Sequence, residues 1–171
     1  ITDSSDIAAA LVLARRILVD GSIATKPEQK VKAESIIELV PRQEYVGRGG
    51  IKLNQALIDL GVDVSDGVCL DVGASTGGFT EVLLKNGAKK IYSIDVGKNQ
   101  LHEKLVNEKK IISFEKTNAR YLTKEIIKDK IDIIVCDVSF ISMKKVIQPS
   151  LKFLIDDGKI IGLIKPQFEA E

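Results

Sequence analysis

Val68-Cys69-Leu70-Asp71-Val72-Gly73-Ala74-Ser75-Thr76-Gly77-Gly78-Phe79-Thr80 is a short apolar run with an acid near its end, flowing directly into a glycine-rich turn and an amphipathic segment. The pattern predicts strand, tight loop and helix in succession. Backbone N–H groups at such a helix N-terminus face an incoming ligand, and glycine lets the backbone approach it closely. The stretch therefore reads as the first strand of an α/β sheet carrying a nucleotide-like ligand; the bland alternative is a plain strand-to-helix turn. Spacing narrows the ligand. A dinucleotide loop, Gly-x-Gly-x-x-Gly, requires glycine where Ser75 stands, and a phosphate-binding P-loop requires lysine where Phe79 stands. Both are disfavoured.

Downstream of this stretch, apolar runs predict strands at Ile91–Asp95, Ile112–Glu115, Ile131–Asp137 and Lys159–Lys165. The segments Gly78–Leu84, Asn99–Val106, Tyr121–Lys128 and Met143–Ile155 read as wholly or partly helical. Strands alternating with helices imply a parallel sheet covered on both faces, whose ligands bind beyond the carboxyl ends of the strands. That rule draws Gly73, Asp95, Asn118, Asp137 and Lys165 to one edge. Upstream, Leu53, Ala56, Leu57 and Leu60 form one face of a helix preceding the sheet.

The beginning of the chain reads differently. Ile7, Ala8, Leu11 and Ala14 line one face of a helix capped by Ser4 or Ser5. Ile17-Leu18-Val19 and Ser22-Ile23-Ala24 flank Asp20-Gly21, a pair suited to a type I′ hairpin turn, and Ile36–Val40 reads as another strand. The polar, glycine-containing stretch from Pro41 to Gly50 marks a boundary. The expected organisation is a small module over residues 1–41, a linker over 42–52 and an α/β domain over 53–171.

Composition limits the partners. The 171 residues carry 25 Lys+Arg against 24 Asp+Glu, a net charge of +1, so any nucleic-acid surface must be a local patch. No apolar run approaches the roughly 20 residues of a membrane span, and no signal peptide opens the chain, so no membrane partner and a cytoplasmic location are expected. Cys69 and Cys136 both fall inside expected buried strands, as reduced packing residues do. With His102 the only histidine, no metal site is expected.

The glycine loop, Asp-x-Gly-x-x-x-Gly-Gly, resembles the cofactor loop of S-adenosylmethionine-dependent methyltransferases. On that resemblance the cofactor set is Asp71, Gly73, Ser75, Thr76, Gly77 and Phe79, with Asp95, Val96, Asn118 and Asp137. Asp95 at a strand end can accept from both ribose hydroxyls. Asn118 can bond the adenine edge through its amide, or equally serve as a turn former. The strand-end sequence Asp137-Val138-Ser139-Phe140 lacks the Pro-Pro common among amine methylases, and Cys136 is too buried to act as the thiolate that pyrimidine-carbon methylation needs. A hydroxyl acceptor remains. It needs its proton removed or polarised, which a lysine held by a carboxylate can do. Lys52, Asp137 and Lys165 fit that chemistry, although either lysine taken singly reads as a surface amine.

Tyr45-Val46-Gly47-Arg48-Gly49-Gly50-Ile51-Lys52-Leu53, the loop at 71–80, Asp95-Val96-Gly97-x-Asn99-Gln100-Leu101, Asp137-Val138-Ser139-Phe140-Ile141-Ser142 and Lys165-Pro166-Gln167-Phe168-Glu169 together resemble the motif series of the TlyA (hemolysin A) family of FtsJ-like rRNA methyltransferases. The resemblance implies a Rossmann-like methyltransferase sheet preceded by a partial S4-like RNA-binding α+β module. It further implies S-adenosylmethionine as cofactor and 2′-O-methylation of cytidine ribose in ribosomal RNA or ribosomal subunits. Lys52, Asp137 and Lys165 match the first three members of the family's Lys-Asp-Lys-Glu catalytic set. The family's glutamate lies downstream of the Lys-Pro-Gln-Phe-Glu motif, so Glu169 is not that residue, and the sheet is expected to continue past residue 171. Arg15, Arg16 and Arg48 are the expected RNA contacts, outside the cofactor edge. Two other readings compete: a membrane-active cytolysin, from the family's name, and a non-catalytic RNA-binding assembly factor.

Overall fold

A computed structural model describes residues 1–40 and 44–170. The chain divides into two compact units, Ile1–Gln43 and Glu44–Glu171. The expected boundary at residue 41 lies outside the described residues.

In the first unit, α1 (Ser5–Leu13) is capped by Ser4, whose hydroxyl accepts from Ile7 N. Strands β1 (Ile17–Val19), β2 (Ser22–Ile23) and β3 (Ile37–Leu39) form an antiparallel sheet in the order β2-β1-β3. Asp20 and Gly21 both have positive φ (49° and 77°), as a type I′ turn requires. The Asp20 carboxylate accepts from Ile36 N at 2.8 Å and ties the return strand to the hairpin.

The second unit opens with α2 (Gly49–Leu60), so residues 49–52 are its first turn rather than linker. Gly61 in the left-handed conformation ends it (φ 60°). Strands β4 (Val68–Val72), β5 (Lys90–Ile94), β6 (Ile111–Phe114), β7 (Ile131–Cys136) and β8 (Leu154–Gly162) form a parallel sheet in the order β6-β5-β4-β7-β8. Successive side chains alternate between faces. Cys69, Ile91, Ile133 and Val135 pack with Leu53 and Leu57 of α2 and with Val82 and Leu83 of α3 (Gly78–Lys85). Leu70, Val72, Tyr92, Ile94, Ile134 and Cys136 pack on the other face with Val146 of α5 (Met143–Ser150) and with Phe153. Each fully buried leucine or isoleucine contributes about 1.5–3 kcal/mol, so the two layers fix the register of every strand.

Two of the expected segments are partly helical and a third is not helical. Only Glu103–Val106 (α4) is helical in the 99–106 segment, because Asn99 sits at φ 52° and the loop before α4 hangs from Glu115, which accepts from Gln100 N at 2.8 Å. Tyr121–Lys128 is not a helix; a 3-10 turn at Ala119–Tyr121 is followed by a turn in which Ile126 N and Ile127 N both donate to Thr123 O. The last helix ends at Ser150 beside Pro149, and β8 begins at Leu154, pairing with Ile131. Ile133 then pairs with Lys159, so residues 155–158 bulge out of the ladder. Strands β5 and β7 end one residue before Asp95 and Asp137, and β8 ends at Gly162, leaving Lys165 beyond the ladder as the cap of α6 (Pro166–Glu169).

Candidate active site

The carboxyl ends of β4, β5 and β7 enclose a two-lobed cleft. One lobe, about 390 Å³, is lined by Gly73, Ser75, Asp95, Val96, Thr117, Asn118, Asp137, Val138 and Ile141, among others. The second, about 270 Å³, is lined by Gly47, Arg48, Gly49, Ser75, Thr76, Phe79, Asp137, Ser139 and Lys165, among others. Gly73, Ser75, Asp137 and Ser139 belong to both lobes, so a ligand in one reaches the other past Asp137.

The glycine loop makes the floor. Gly73 has φ 83°, and a Cβ there would meet Val138 Cγ1 at 2.8 Å and Asp137 O at 3.1 Å, so no other residue fits between β4 and β7. Ser75 is also left-handed (φ 49°), which turns its N–H onto Asp95 Oδ2 at 2.7 Å. Gly97 N donates to Asp95 Oδ1 at 2.7 Å. Both Asp95 oxygens are thereby fixed, and each keeps a lone pair for a ligand hydroxyl. Gly47 lies over the loop, where a Cβ would stand 2.7 Å from Thr76 Oγ1. Val46 N donates to Glu81 of α3, which anchors that crossing.

Asp71 lies beneath the loop, fully buried, and does not line either lobe. Thr80 Oγ1 donates to its Oδ2 at 2.6 Å, whereas Oδ1 has no hydrogen-bond partner among the described residues. Burial drives the carboxyl up to about 7, with the Asp137 and Asp95 charges adding to the rise and the Thr80 hydrogen bonds opposing it. Gly77 likewise lines neither lobe; its φ is 92°, and a Cβ there would collide with Leu101 and Leu105. The absence of a side chain there makes room for Leu101 and for Leu105 of α4.

Lys165 Nζ stands 2.6 Å from Asp137 Oδ1 and donates to Ser139 Oγ at 2.8 Å. The carboxylate contact is an ion pair by proximity, while the directed hydrogen bond goes to the hydroxyl. Lys52 makes no ion pair with Asp137 among the described residues. It is an exposed residue of α2, one turn beyond Gly49, and lines a small recess with Phe79 and Gly162. Asn118 behaves as a turn former: its Oδ1 accepts from Arg120 N at 3.0 Å, although the residue also lines the first lobe. Arg48 lines the second lobe, which corrects the expectation that it lies outside the cofactor edge: α2 begins before Lys52 and brings Arg48 and Gly49 over the loop. Arg16 spends Nε and Nη2 on Val40 O (3.1 and 3.0 Å), and Arg15 is exposed at φ 56°. Burial pushes the Cys69 and Cys136 thiols up to about 12, which leaves neither as a nucleophile at neutral pH.

Ser139 and Phe140 fall within the strand-end motif and Glu115 at an expected strand end, but the sequence gives none of the three a role in the site. Glu115 follows β6, and the strand-end rule that selected Asp95 applies equally to it. Phe140 is 91 % exposed with φ 64°, and its ring meets that of Phe168 at 5.3 Å. Beside it a groove of about 750 Å³ carries Arg120, Lys144, Lys145 and Gln148. Among the described residues, no helix is long and apolar enough to cross a membrane.

Residues 45–171 match the model of the FtsJ-like methyltransferase family. Hemolysin A of Brachyspira hyodysenteriae is 46% identical over 171 residues, covering 99% of this chain and 71% of that protein. The 16S/23S rRNA (cytidine-2'-O)-methyltransferase TlyA of Mycobacterium tuberculosis is 42% identical over 164 residues, covering 95% of this chain but 61% of that protein. A solved structure described as a hemolysin from Streptococcus thermophilus superposes with a TM-score of 0.75 at 37% identity, covering 99% of this chain and 63% of that one. The chain thus spans less than two thirds of the mycobacterial and streptococcal proteins. Because the matched span contains the glycine loop, both strand-end carboxylates and Lys165, the chain belongs to the FtsJ-like methyltransferase family.

Proposed function

We propose that this chain carries the catalytic domain of an S-adenosylmethionine-dependent RNA methyltransferase that modifies ribose 2′-hydroxyls of ribosomal RNA, cytidines included, in the cytoplasm. The observation that carries the reading is the Lys165–Asp137–Ser139 cluster at the junction of the two lobes. The cleft fits the cofactor: Gly73 keeps its floor open to close approach, and Asp95 offers lone pairs for two ribose hydroxyls. When bound, S-adenosylmethionine supplies a methyl group made electrophilic by its sulfonium. Asp95 and Val96 would hold the sugar, Asn118 the base edge, and the 73–79 loop the remainder.

The chain's own residues then act on the acceptor. Lys165 would receive the proton of the acceptor 2′-hydroxyl, with Asp137 and Ser139 holding the amine in place. Lys52 would approach the same hydroxyl from α2. Phe140 offers an exposed ring on which an unstacked base can lie, with Arg120, Lys144 and Lys145 placed to meet phosphates. On the same reading the first unit is an S4-like RNA-binding module, with Arg15 and Arg48 as further phosphate contacts. The names of the mycobacterial relative and of the matched family agree with this chemistry.

Transfer of labelled methyl from S-adenosylmethionine to ribosomal subunits by the full-length protein tests the proposal. Label recovered as 2′-O-methylcytidine is the expected result, and label on a base overturns it.

A further inference from the structure

Three contacts join the segment after β8 to the segment after β7, in matching order. Lys165 meets Asp137 and Ser139 at 2.6 and 2.8 Å, the Phe168 ring meets that of Phe140 at 5.3 Å, and Glu169 meets Ser142 and Met143. Glu169 Oε2 accepts from Ser142 Oγ at 2.7 Å, and its Oε1 accepts from Met143 N at 2.6 Å. Positions 165, 168 and 169 lie on one side of a single helical turn, as residues three and four apart do. The pattern resembles a short zipper whose catalytic end is Lys165.

Among the described residues, the Lys165 backbone is held outside the sheet, with its carbonyl accepting from Phe168 N at 2.8 Å within α6. The β7–β8 ladder ends at Cys136 opposite Gly162, with a last bond from Leu163 N to Cys136 O, so Ile164 and Lys165 lie outside the sheet. The lysine stem is long and flexible, and its amine can be held only as well as its Cα. Glu169 also completes α5: Ser142, at the N-cap, makes no cap hydrogen bond of its own, and the Glu169 carboxylate takes that place at the positive end of the helix. The two hydrogen bonds hold the Glu169 carboxyl below the usual carboxylate range, so the clamp is charged at neutral pH.

We propose that Glu169 is a positioning residue: by pinning α6 to the start of α5 it holds Lys165 against Asp137 and Ser139. It touches no reacting atom. The inference rests on the reading that Lys165 works on the acceptor hydroxyl, but its own geometry can be tested separately.

The test compares wild type, Glu169→Ala, Glu169→Gln and Ser142→Ala in the full-length protein. Methyl transfer is followed alongside calorimetric S-adenosylmethionine affinity and the acylation rate of Lys165, read by mass spectrometry. Glu169→Ala should lower kcat by about 10- to 100-fold, as an ångström-scale misplacement does, while cofactor affinity and KM for RNA stay within about threefold. Lys165 should acylate several-fold faster once released. Glu169→Gln, which keeps one carbonyl acceptor, should fall between, and it decides the matter if the alanine variant does not fold. Wild-type kcat, or unchanged Lys165 acylation in the folded variants, overturns the clamp. If wild type methylates no RNA, the functional reading fails, and the acylation rates alone decide the role of Glu169.

Discussion

Lys165 and Asp137 are brought to 2.6 Å by the segments that follow two neighbouring strands, and their side chains are 21% and 22% exposed. Partial burial shields the pair from bulk solvent yet leaves it open to a ligand from the second lobe. An amine held there can act on an acceptor proton without holding the cofactor.

Lys165→Ala should therefore lower methyl transfer by about 10²- to 10⁴-fold, the usual worth of a positioned acid or base, with cofactor affinity nearly unchanged. Lys52→Ala should give a smaller loss, because Lys52 is not paired with Asp137 among the described residues. Single-turnover transfer and calorimetry on each variant check both statements; activity within a few-fold of wild type removes that lysine from the catalytic set.

Asp95 has two tasks, since the carboxylate that faces the first lobe also fixes Ser75 N and Gly97 N. Asp95→Ala should weaken S-adenosylmethionine binding by about 1–3 kcal/mol, as loss of charged hydrogen bonds does. Asp95→Asn should lose less, because its remaining carbonyl still accepts. Equal affinity for wild type and the alanine variant, by calorimetry, would exclude the role.

The sheet was legible because β4, β5 and β7 are continuous apolar runs that bury both faces, and each predicted span lies within a residue of the observed one at either end. The edge pieces were not. Asn99 and Lys116 adopt positive φ, and the bulge at residues 155–158 depends on pairing with a strand more than twenty residues away, which no local pattern encodes. The site was half legible for a related reason. Asp95 and Asp137 follow directly from the strand-end rule and Lys165 from the segment just past β8, whereas the burial of Asp71 within β4 and the packing of Leu101 and Leu105 at Gly77 depend on how the neighbouring elements pack. Arg16 is an expected RNA contact by sequence, and only the fold supplies Val40 O as the partner of its Nε and Nη2.

Asp71 sets a pH dependence of stability. In the folded, cofactor-free protein its carboxyl holds a proton up to about 7, chiefly through burial, whereas the unfolded chain releases it near the ordinary aspartate value. The folded state thus binds the extra proton between about pH 4 and 7. The contribution is fully present below that window and is lost as pH rises through it. Relative to Asp71→Asn, wild type should lose on the order of 2–4 kcal/mol between about pH 4.5 and 8, with no further change above. Denaturant titrations across that range measure the difference, and a gap that does not vary with pH would show that Asp71 is already ionised in the folded protein.

Arg15, Arg16 and Arg48 divide by their partners. Arg15 and Arg48 are exposed, and Arg48 borders the second lobe; the proposed function takes both as phosphate contacts. A phosphate contact releases condensed counterions, and each such arginine should carry about one unit of the slope of log affinity against log salt. Arg15→Ala and Arg48→Ala should each flatten that slope by about one, and the double variant by about two. Arg16 already gives two donors to Val40 O, which closes the first unit between the start of β1 and the end of β3. Arg16→Ala should instead destabilise that unit by about 1–3 kcal/mol, the range for a hydrogen bond from a charged group. Its RNA binding should weaken only to the extent that the unit unfolds. RNA affinity at several salt concentrations, paired with thermal unfolding of each variant, separates the two kinds of arginine. Unchanged slopes in the Arg15 and Arg48 variants would assign the backbone contacts to other cations, with Arg120, Lys144 and Lys145 beside Phe140 the next to replace.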